Sequence, residues 1–334
     1  MLIYATRRLL VLPFVLLGIS VVLFFLTHLV PGDPAKVMAG EHASPQTVEI
    51  IRKEFGLDKP LPEQYRLYVA NLLKGNLGIS IVTRRPVSKD LGLYFSATLE
   101  LTICAIILTV VLGLPLGILS ATRKDSKLDH LVRLISLSGI SMPVFWLGLL
   151  LQLLLYRYLG LLPIGGRLSV NTAAPPRITG LYTIDSLLAL DFQTFWEAAL
   201  HLVLPSFTLA FGSLAVVSRV TRSSMLETLA QDYIRTARAK GLAERMVLVR
   251  HAVRNSIIPT VTVIGLQAGA LLSGAFLVEA VFNWPGLGLY TVRAITRLDY
   301  PAVMGTSLLI TVTFVLINLL VDLLYGVLDP RIRY

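Results

Sequence analysis

One cysteine, Cys104, stands in a chain of 334 residues, and it lies inside an apolar run. That excludes an internal disulfide framework and any cysteine-based metal site. Charge is scarce as well: 15% of residues are Asp, Glu, Lys or Arg, against 55% hydrophobic, and the mean hydropathy is +0.73. A soluble domain of this length needs far more polar surface, so the composition is that of an integral membrane protein. Signatures of chemistry are missing too. There is no GxxxxGK[ST], hence no P-loop through which this chain could hydrolyse nucleotide. There is no HExxH and no nucleophile elbow. The histidines, His28, His42, His130, His201 and His251, are scattered. A lone His at the end of a span is more often a hydrogen-bonded structural residue than a ligand. No catalytic residue, no metal site and no cofactor of the chain's own is expected.

What is abundant is apolar length. A bilayer core of about 30 Å takes about 20 apolar helical residues. Residues 9–30 meet that length behind Arg7 and Arg8. The run is too long for a cleaved signal sequence and no small-x-small site follows, so it is expected to be a retained first span. Five further runs qualify: Ala97–Ser120, Leu131–Leu155, Ala198–Val217, Ile257–Ala280 and Ala302–Val327. The expected fold is all-α and polytopic, with six spans and both termini on one side. Residues 31–96 form a first segment outside the spans, and residues 97–334 hold the other five, with an insert at 156–197.

The formal charge of +10 assigns the sides. Sixteen Lys and Arg collect at the termini and in the loops on their side. The other side holds five once the long 31–96 segment, which translocates largely regardless of charge, is set aside. Both termini are therefore expected to be cytoplasmic. The basic excess is a topology signal, and nucleic acid need not be invoked.

The outer segments have local grammar. "ASPQTVEIIRKEFG" reads as a short helix, with Ser44 as cap, Pro45 at the first position and Gly56 ending it. "LPEQYRLYVANLLKG" reads as a second amphipathic helix stopped by Gly75. In the 156–197 insert, "LPIGGR" and "APP" are turn chemistry, and "SLLALDFQTFWEAAL" has the mixture of an interfacial or re-entrant piece. Pro115, Pro143 and Pro205 fall within spans, as they do where broken helices line a cavity. Polar groups within spans are costly and so are functional candidates. Gln267, Ser273, Glu279, Asn318 and Asp322 are the candidates for a substrate path, with Gln152 in the third span. Asn318 and Asp322 lie four apart on one helix face and could equally bond a neighbouring helix.

One stretch between the fourth and fifth spans is polar enough to ask for its own account: "QDYIRTARAKGLAERMVLVRHAVRNSIIP", residues Gln231 to Pro259. It carries Arg235, Arg238, Lys240, Arg245, Arg250 and Arg254 against Asp232 and Glu244. The bland reading is a basic cytoplasmic loop. Against it, Asp232 begins a run of helix formers that reaches Lys240, Gly241 interrupts, and a second run covers Ala243 to Val253. Two short surface helices are expected, joined by a turn at Gly241 and too charged to span.

The ordered series "HLVPGDP", "GLDKPLPEQY", "GNLGIS", "SLSGISMPVFWLGLLL", "DYIRTARAKGL", "RHAVRNSIIPTVT", "FNWPGLGLY", "DYPAVMGTSLL" and "NLLVDLLYGVLDPRIR" spans nearly the whole chain. It resembles the B-type permease subunit of the dipeptide, oligopeptide and nickel group of ATP-binding cassette (ABC) importers. The resemblance implies a type I importer permease core. It implies import of dipeptides or oligopeptides by alternating access, with nickel or glutathione as the alternative cargo. It implies a bacterial or archaeal inner membrane. The implied partners are a second, similar permease, two ATPase subunits that bind ATP and Mg, and an extracytoplasmic substrate-binding protein. An ion-coupled secondary carrier is the rival from another class, and a non-transporting membrane scaffold is a third reading. The carrier is weakened by the lack of mid-span ionisable groups.

In such permeases a cytoplasmic motif written EAA, three residues, Gly docks on the ATPase. Here Gly241 stands at the motif glycine, Ala237 at the second alanine, Thr236 at the first, and Arg235 where the acid would be. Val253 and Arg254 stand where Leu-Pro commonly closes the motif. The resemblance thus places coupling in residues 220–256, with Asp232, Tyr233, Arg250, His251, Arg254 and Asn255 beside the motif positions.

Overall fold

Two helices far longer than a bilayer is thick, packed against each other, form the frame of the molecule. The computed structural model describes residues 2–29, 34–39, 43–54 and 56–328. Before the frame come α1 (Leu2–Leu29), α2 (Pro34–Ala39), α3 (Pro45–Glu54) and α4 (Leu61–Leu73). The frame helix α5 runs from Val87 to Thr122, ten residues earlier than the expected second span. Next are α6 (Lys127–Ser141) and α7 (Val144–Leu151), the latter continuing as a wider π turn over Gln152–Tyr158. After the insert come α8 (Tyr182–Leu188) and the second frame helix, α9 (Phe192–Leu229). The chain ends with α10 (Asp232–Ala239), α11 (Glu244–Met246) running through a π turn into α12 (Arg254–Val281), then α13 (Leu287–Thr296) and α14 (Tyr300–Leu328).

At 1.5 Å per residue the 36 residues of α5 and the 38 of α9 reach about 54 and 57 Å. Both therefore project past a hydrocarbon core of about 30 Å. They lie against each other along their length because their shared face is small. A Cβ on Gly117 of α5 would sit 2.6 Å from the Ser218 carbonyl oxygen of α9, so only glycine permits this approach. Such small-residue contacts drive helix association in lipid, where burial of apolar surface gives no advantage. Ala105, Leu101, Leu204 and Ala210 bury between them, joined by Leu271 and Val278 of α12. Pro115 and Pro205 are carried inside α5 and α9 without ending either.

Among the described residues, four helices are long and apolar enough to cross a membrane: α5, α9, the continuous helix from Glu244, and α14. The first expected span falls in α1, whose described apolar part is Leu10–Phe25. The third is not a single rod. It breaks between Ser141 and Val144, and α6 and α7 meet at 113°. Pro143 is the cause: its ring blocks continuation, and the residue before it is held extended, with Met142 at ψ 126. Helices α3 and α4 follow their sequence grammar. Thr47 N–H donates to the Ser44 hydroxyl at 3.2 Å, and Gly56 and Gly75 both take the left-handed conformation that ends a helix. Helix α4 lies on α1, where Tyr65 meets the Ser20 hydroxyl at 2.9 Å and Tyr68 stacks on Phe24. The piece read as interfacial resolves into α8, a turn at Leu190, and the start of α9.

Candidate functional site

Helix α10 hangs at one end of the frame, between α9 and the long helix that becomes α12. The expectation of two separate surface helices is corrected here. Only α10 is separate, because the run after Gly241 continues without a break from Glu244 into the spanning helix. Three features fix α10. Ile234 and Ala237 bury against Met225 of α9, Ala121 of α5, and Val247 and Ala252 beyond the turn. Gly241 takes φ +74, a conformation glycine adopts without cost, and returns the chain. Across that turn Arg238 grips Glu244 with Nη2 at 2.6 Å and Nε at 3.1 Å. Its hydrogen bonds to the Glu244 carboxylate raise the Arg238 pKa above its ordinary value, against the smaller opposing effect of desolvation.

The outward face of α10 is what remains. Asp232, Tyr233 and Arg235 are exposed, and Arg235 pairs loosely with Asp232 at 3.4 Å. The next helix adds Arg250 and Arg254, both exposed, beside half-buried His251. Asn255 joins the two pieces: its amide donates to the Tyr233 hydroxyl at 3.2 Å and to the His251 carbonyl at 2.8 Å. The structure therefore brings together all nine residues singled out in this stretch. It divides them into a buried foot, Ala237, a turn, Gly241, and an exposed polar face. Arg235, unexpected at its motif position, points away from the protein's own core.

A second feature lies midway along the bundle. The break at Pro143 opens a cleft of about 380 Å³ bounded by α6, α7, α9 and α12. Met142, Val144, Thr208, Phe211 and Ser213 line it, and Gln267 contributes an amide from α12. Of the path candidates whose side chains are described, Gln267 is the one on this wall. Asn318 of α14 lies instead beside Gly269 of α12, where the two helices touch. The side chains of Ser273 and Asp322 lie outside the described residues.

Glu279 has another environment. It is fully buried, and its carboxylate accepts hydrogen bonds from the Thr98 hydroxyl at 2.6 Å, Gly288 N–H at 2.6 Å and Leu289 N–H at 3.1 Å. It thus satisfies the free donors at the start of α13 and favours that helix's positive end. "FNWPGLGLY" wraps around this carboxylate, and Trp284 donates its indole N–H to the Ala97 carbonyl at 2.9 Å. Glu279 contributes to the junction of α12 and α13 and does not face the cleft.

The same end of the bundle holds residues that sequence reasoning passes over. Arg167, in "LPIGGR", donates to Glu100 at 2.5 Å and to the Gly180 carbonyl at 2.9 Å, with its guanidinium 3.4 Å over the Tyr182 ring. Thr183 donates to Glu100 from backbone and hydroxyl, at 2.8 and 2.7 Å. Glu100 sits inside the second span, so the cost of an ionisable group in lipid could have flagged it. Its partner 67 residues away could not be read. Asp185 organises the loop before α8 by accepting from Thr179 and Gly180 N–H at 2.7 and 2.8 Å. Burial alone would raise its pKa. The Thr179 hydroxyl and three backbone N–H groups outweigh that and hold it below the ordinary carboxylate value.

These features define a class: a multi-pass, all-helical membrane protein with a polar helix, α10, that lies outside the spans and is built into three of them. Comparison with known proteins places the chain within that class. It belongs to the binding-protein-dependent transport system inner membrane component family, whose model matches residues 113–334, and the N-terminal model of the same system matches residues 1–102. It is similar to the probable D,D-dipeptide transport system permease protein DdpB of Escherichia coli K12, 49% identical over 96% of this chain and 94% of that one. The dipeptide transport system permease protein DppB of Alkalihalophilus pseudofirmus is 46% identical over the full length of both. The glutathione transport system permease protein GsiC of Pectobacterium atrosepticum is 41% identical, again over both full lengths.

Proposed function

We propose that this chain is the translocation subunit of an ATP-driven importer for dipeptides or short oligopeptides. Energy comes from separate ATPase subunits that bind ATP and Mg, and a second, similar permease completes the path. The carrying observation is α10. Ile234 and Ala237 root it in α5 and α9, and the Arg238–Glu244 clamp ties it to the helix that becomes α12. A push on α10 therefore displaces three spans, α5, α9 and α12, together. Its exposed face, Asp232, Tyr233 and Arg235 with Arg250 and Arg254, is the docking surface for the ATPase. The α10 end and both termini then lie in the cytoplasm, and the α8 end faces outward. ATP binding on the partners stabilises one of two packings of the bundle, because the docked face differs in affinity between them.

The peptide cargo rests on the dipeptide transport names of the relatives at 46 to 49% identity. Glutathione, itself a peptide, is the second reading, supported by the relative at 41%. The test is uptake into proteoliposomes holding the whole complex and its binding protein. Labelled dipeptide should accumulate with ATP inside and the proton gradient collapsed. Uptake that needs the gradient and ignores ATP would make the chain an ion-coupled carrier. Competition by unlabelled glutathione decides between the two cargos.

A further inference from the structure

At the end opposite α10, a cleft of about 1090 Å³ opens between α2, α3, the turn after residue 80 and the far end of α13. Four cations line it, Lys36, Arg52, Arg84 and Arg297, with Glu49 as the one acid. Glu49 is held by Arg52 on the same helix, at 3.5 Å. The other three come from three different segments, and among the described residues none has a carboxylate partner. Their neighbours do have partners. Arg85 pairs with Asp90 at 2.8 Å and Arg293 donates to Asn283 at 3.1 Å.

The turn that presents Arg84 is fixed in advance. Asp299 accepts from the Ser80 hydroxyl at 2.5 Å and Val82 N–H at 3.0 Å, and Ser80 N–H donates to the Arg85 carbonyl at 2.9 Å. Arg84 itself sits at φ +56, a strained conformation for a side chain of its size. Strain held by surrounding hydrogen bonds is a mark of functional positions. Topology does not require Lys36 or Arg84, since cations in a long translocated segment carry little orienting weight, and Arg297 lies on the side that the sequence keeps poor in cations. Val48, Ile81 and Val82 give the cleft an apolar floor inside the basic rim, which is the anatomy of a protein interface.

We propose that this cleft receives an acidic surface segment of the binding protein, whose carboxylates pair with Lys36, Arg84 and Arg297. The proposal rests on reading the chain as an importer subunit with the α8 end outward. Charge at such a rim acts on the encounter: complementary fields raise association rates by about 10- to 1000-fold, and salt removes the gain.

The test uses the whole complex in nanodiscs of neutral phosphatidylcholine and the purified binding protein of the same system. Association is measured at low and high salt for the native chain, for the triple variant Lys36→Gln, Arg84→Gln, Arg297→Gln, and for Arg84→Gly alone. The triple variant should associate at least about tenfold more slowly at low salt and lose most of its salt dependence. Arg84→Gly relieves the strained backbone, so a folding defect cannot explain its result, and it should show a smaller loss in the same direction. Basal ATP hydrolysis should be unchanged in both. Unchanged association in the triple variant, with hydrolysis intact, overturns the cleft assignment. So does a loss that appears only in anionic-lipid discs, which would make a lipid headgroup the occupant. A native complex that never binds the purified protein sinks the importer reading together with the cleft.

Discussion

Arg222 of α9 closes on Asp129 of α6 with two parallel hydrogen bonds, Nε at 2.7 Å and Nη2 at 2.8 Å. The same carboxylate takes the Ser120 hydroxyl at the end of α5 and the Asp125 N–H. One fully buried acid thus ties together three helices at the end where α10 is rooted. Removing the arginine leaves the buried charge with neutral donors and one more distant cation, Arg133 at 4.0 Å. Arg222→Leu should therefore destabilise the chain by about 3–5 kcal/mol. A lowered thermal midpoint of the detergent-solubilised complex reads this. Asp129→Asn together with Arg222→Leu should recover part of it, because no buried charge is then left without a partner.

Gly241→Ile tests the turn beneath α10. Nothing lies within 4 Å of where a Cβ would go, so the substitution meets no clash and acts through the backbone alone. Holding a β-branched residue at φ +74 costs about 1–2 kcal/mol. Transport should fall while membrane insertion persists, and Gly241→Asn should retain most uptake because Asn tolerates this region. Uptake intact in the Ile variant would remove Gly241 from the coupling turn.

Glu279→Gln separates a structural carboxylate from one that meets cargo. Gln replaces one charged acceptor with an amide, and hydrogen bonds from Gly288 and Leu289 weaken. A loss of about 1–3 kcal/mol follows. The thermal midpoint should drop, whereas the ranking of peptides in competition for uptake should not change. A changed ranking at an unchanged midpoint would place Glu279 in the path after all.

Asp185 gives the insert an acid limit. Its folded pKa lies below the unfolded value of about 3.9. Its stabilising effect is therefore complete above that value and is lost as pH falls through the folded one. Amide exchange at Thr179 and Gly180, corrected for its intrinsic pH dependence, should accelerate in that window. In Asp185→Asn the same amides should exchange faster already at neutral pH, with little further change in acid.

Much of this protein is legible in its sequence, for reasons that are local. Apolar runs near 20 residues must be helices in lipid, since no other single segment satisfies its own backbone there. Ser44, Pro45 and Gly56 bound α3 because capping involves only neighbouring groups. Asp232 and Gly241 bound the α10 turn on the same grounds. Other features needed the tertiary structure. Span limits blurred because α5 and α9 extend as helices into polar sequence, held there by partners such as Asp90 with Arg85. The second run after Gly241 looked like a surface helix because its charge is high. It belongs instead to a span, with Val247 and Ala252 turned into the core.

The buried carboxylates mark where reading the chain alone stops. Glu279 and Glu100 appear in the sequence as acids in apolar runs, and Asp129 as one acid in a charged stretch between spans. One caps α13, one pairs with Arg167, and one joins three helices through Arg222. Sequence determined that an acid within an apolar run needed a partner, because an unpaired charge in a low-dielectric interior is too costly to keep. Which partner each acid found, 67 or 93 residues away, was decided only when the helices packed.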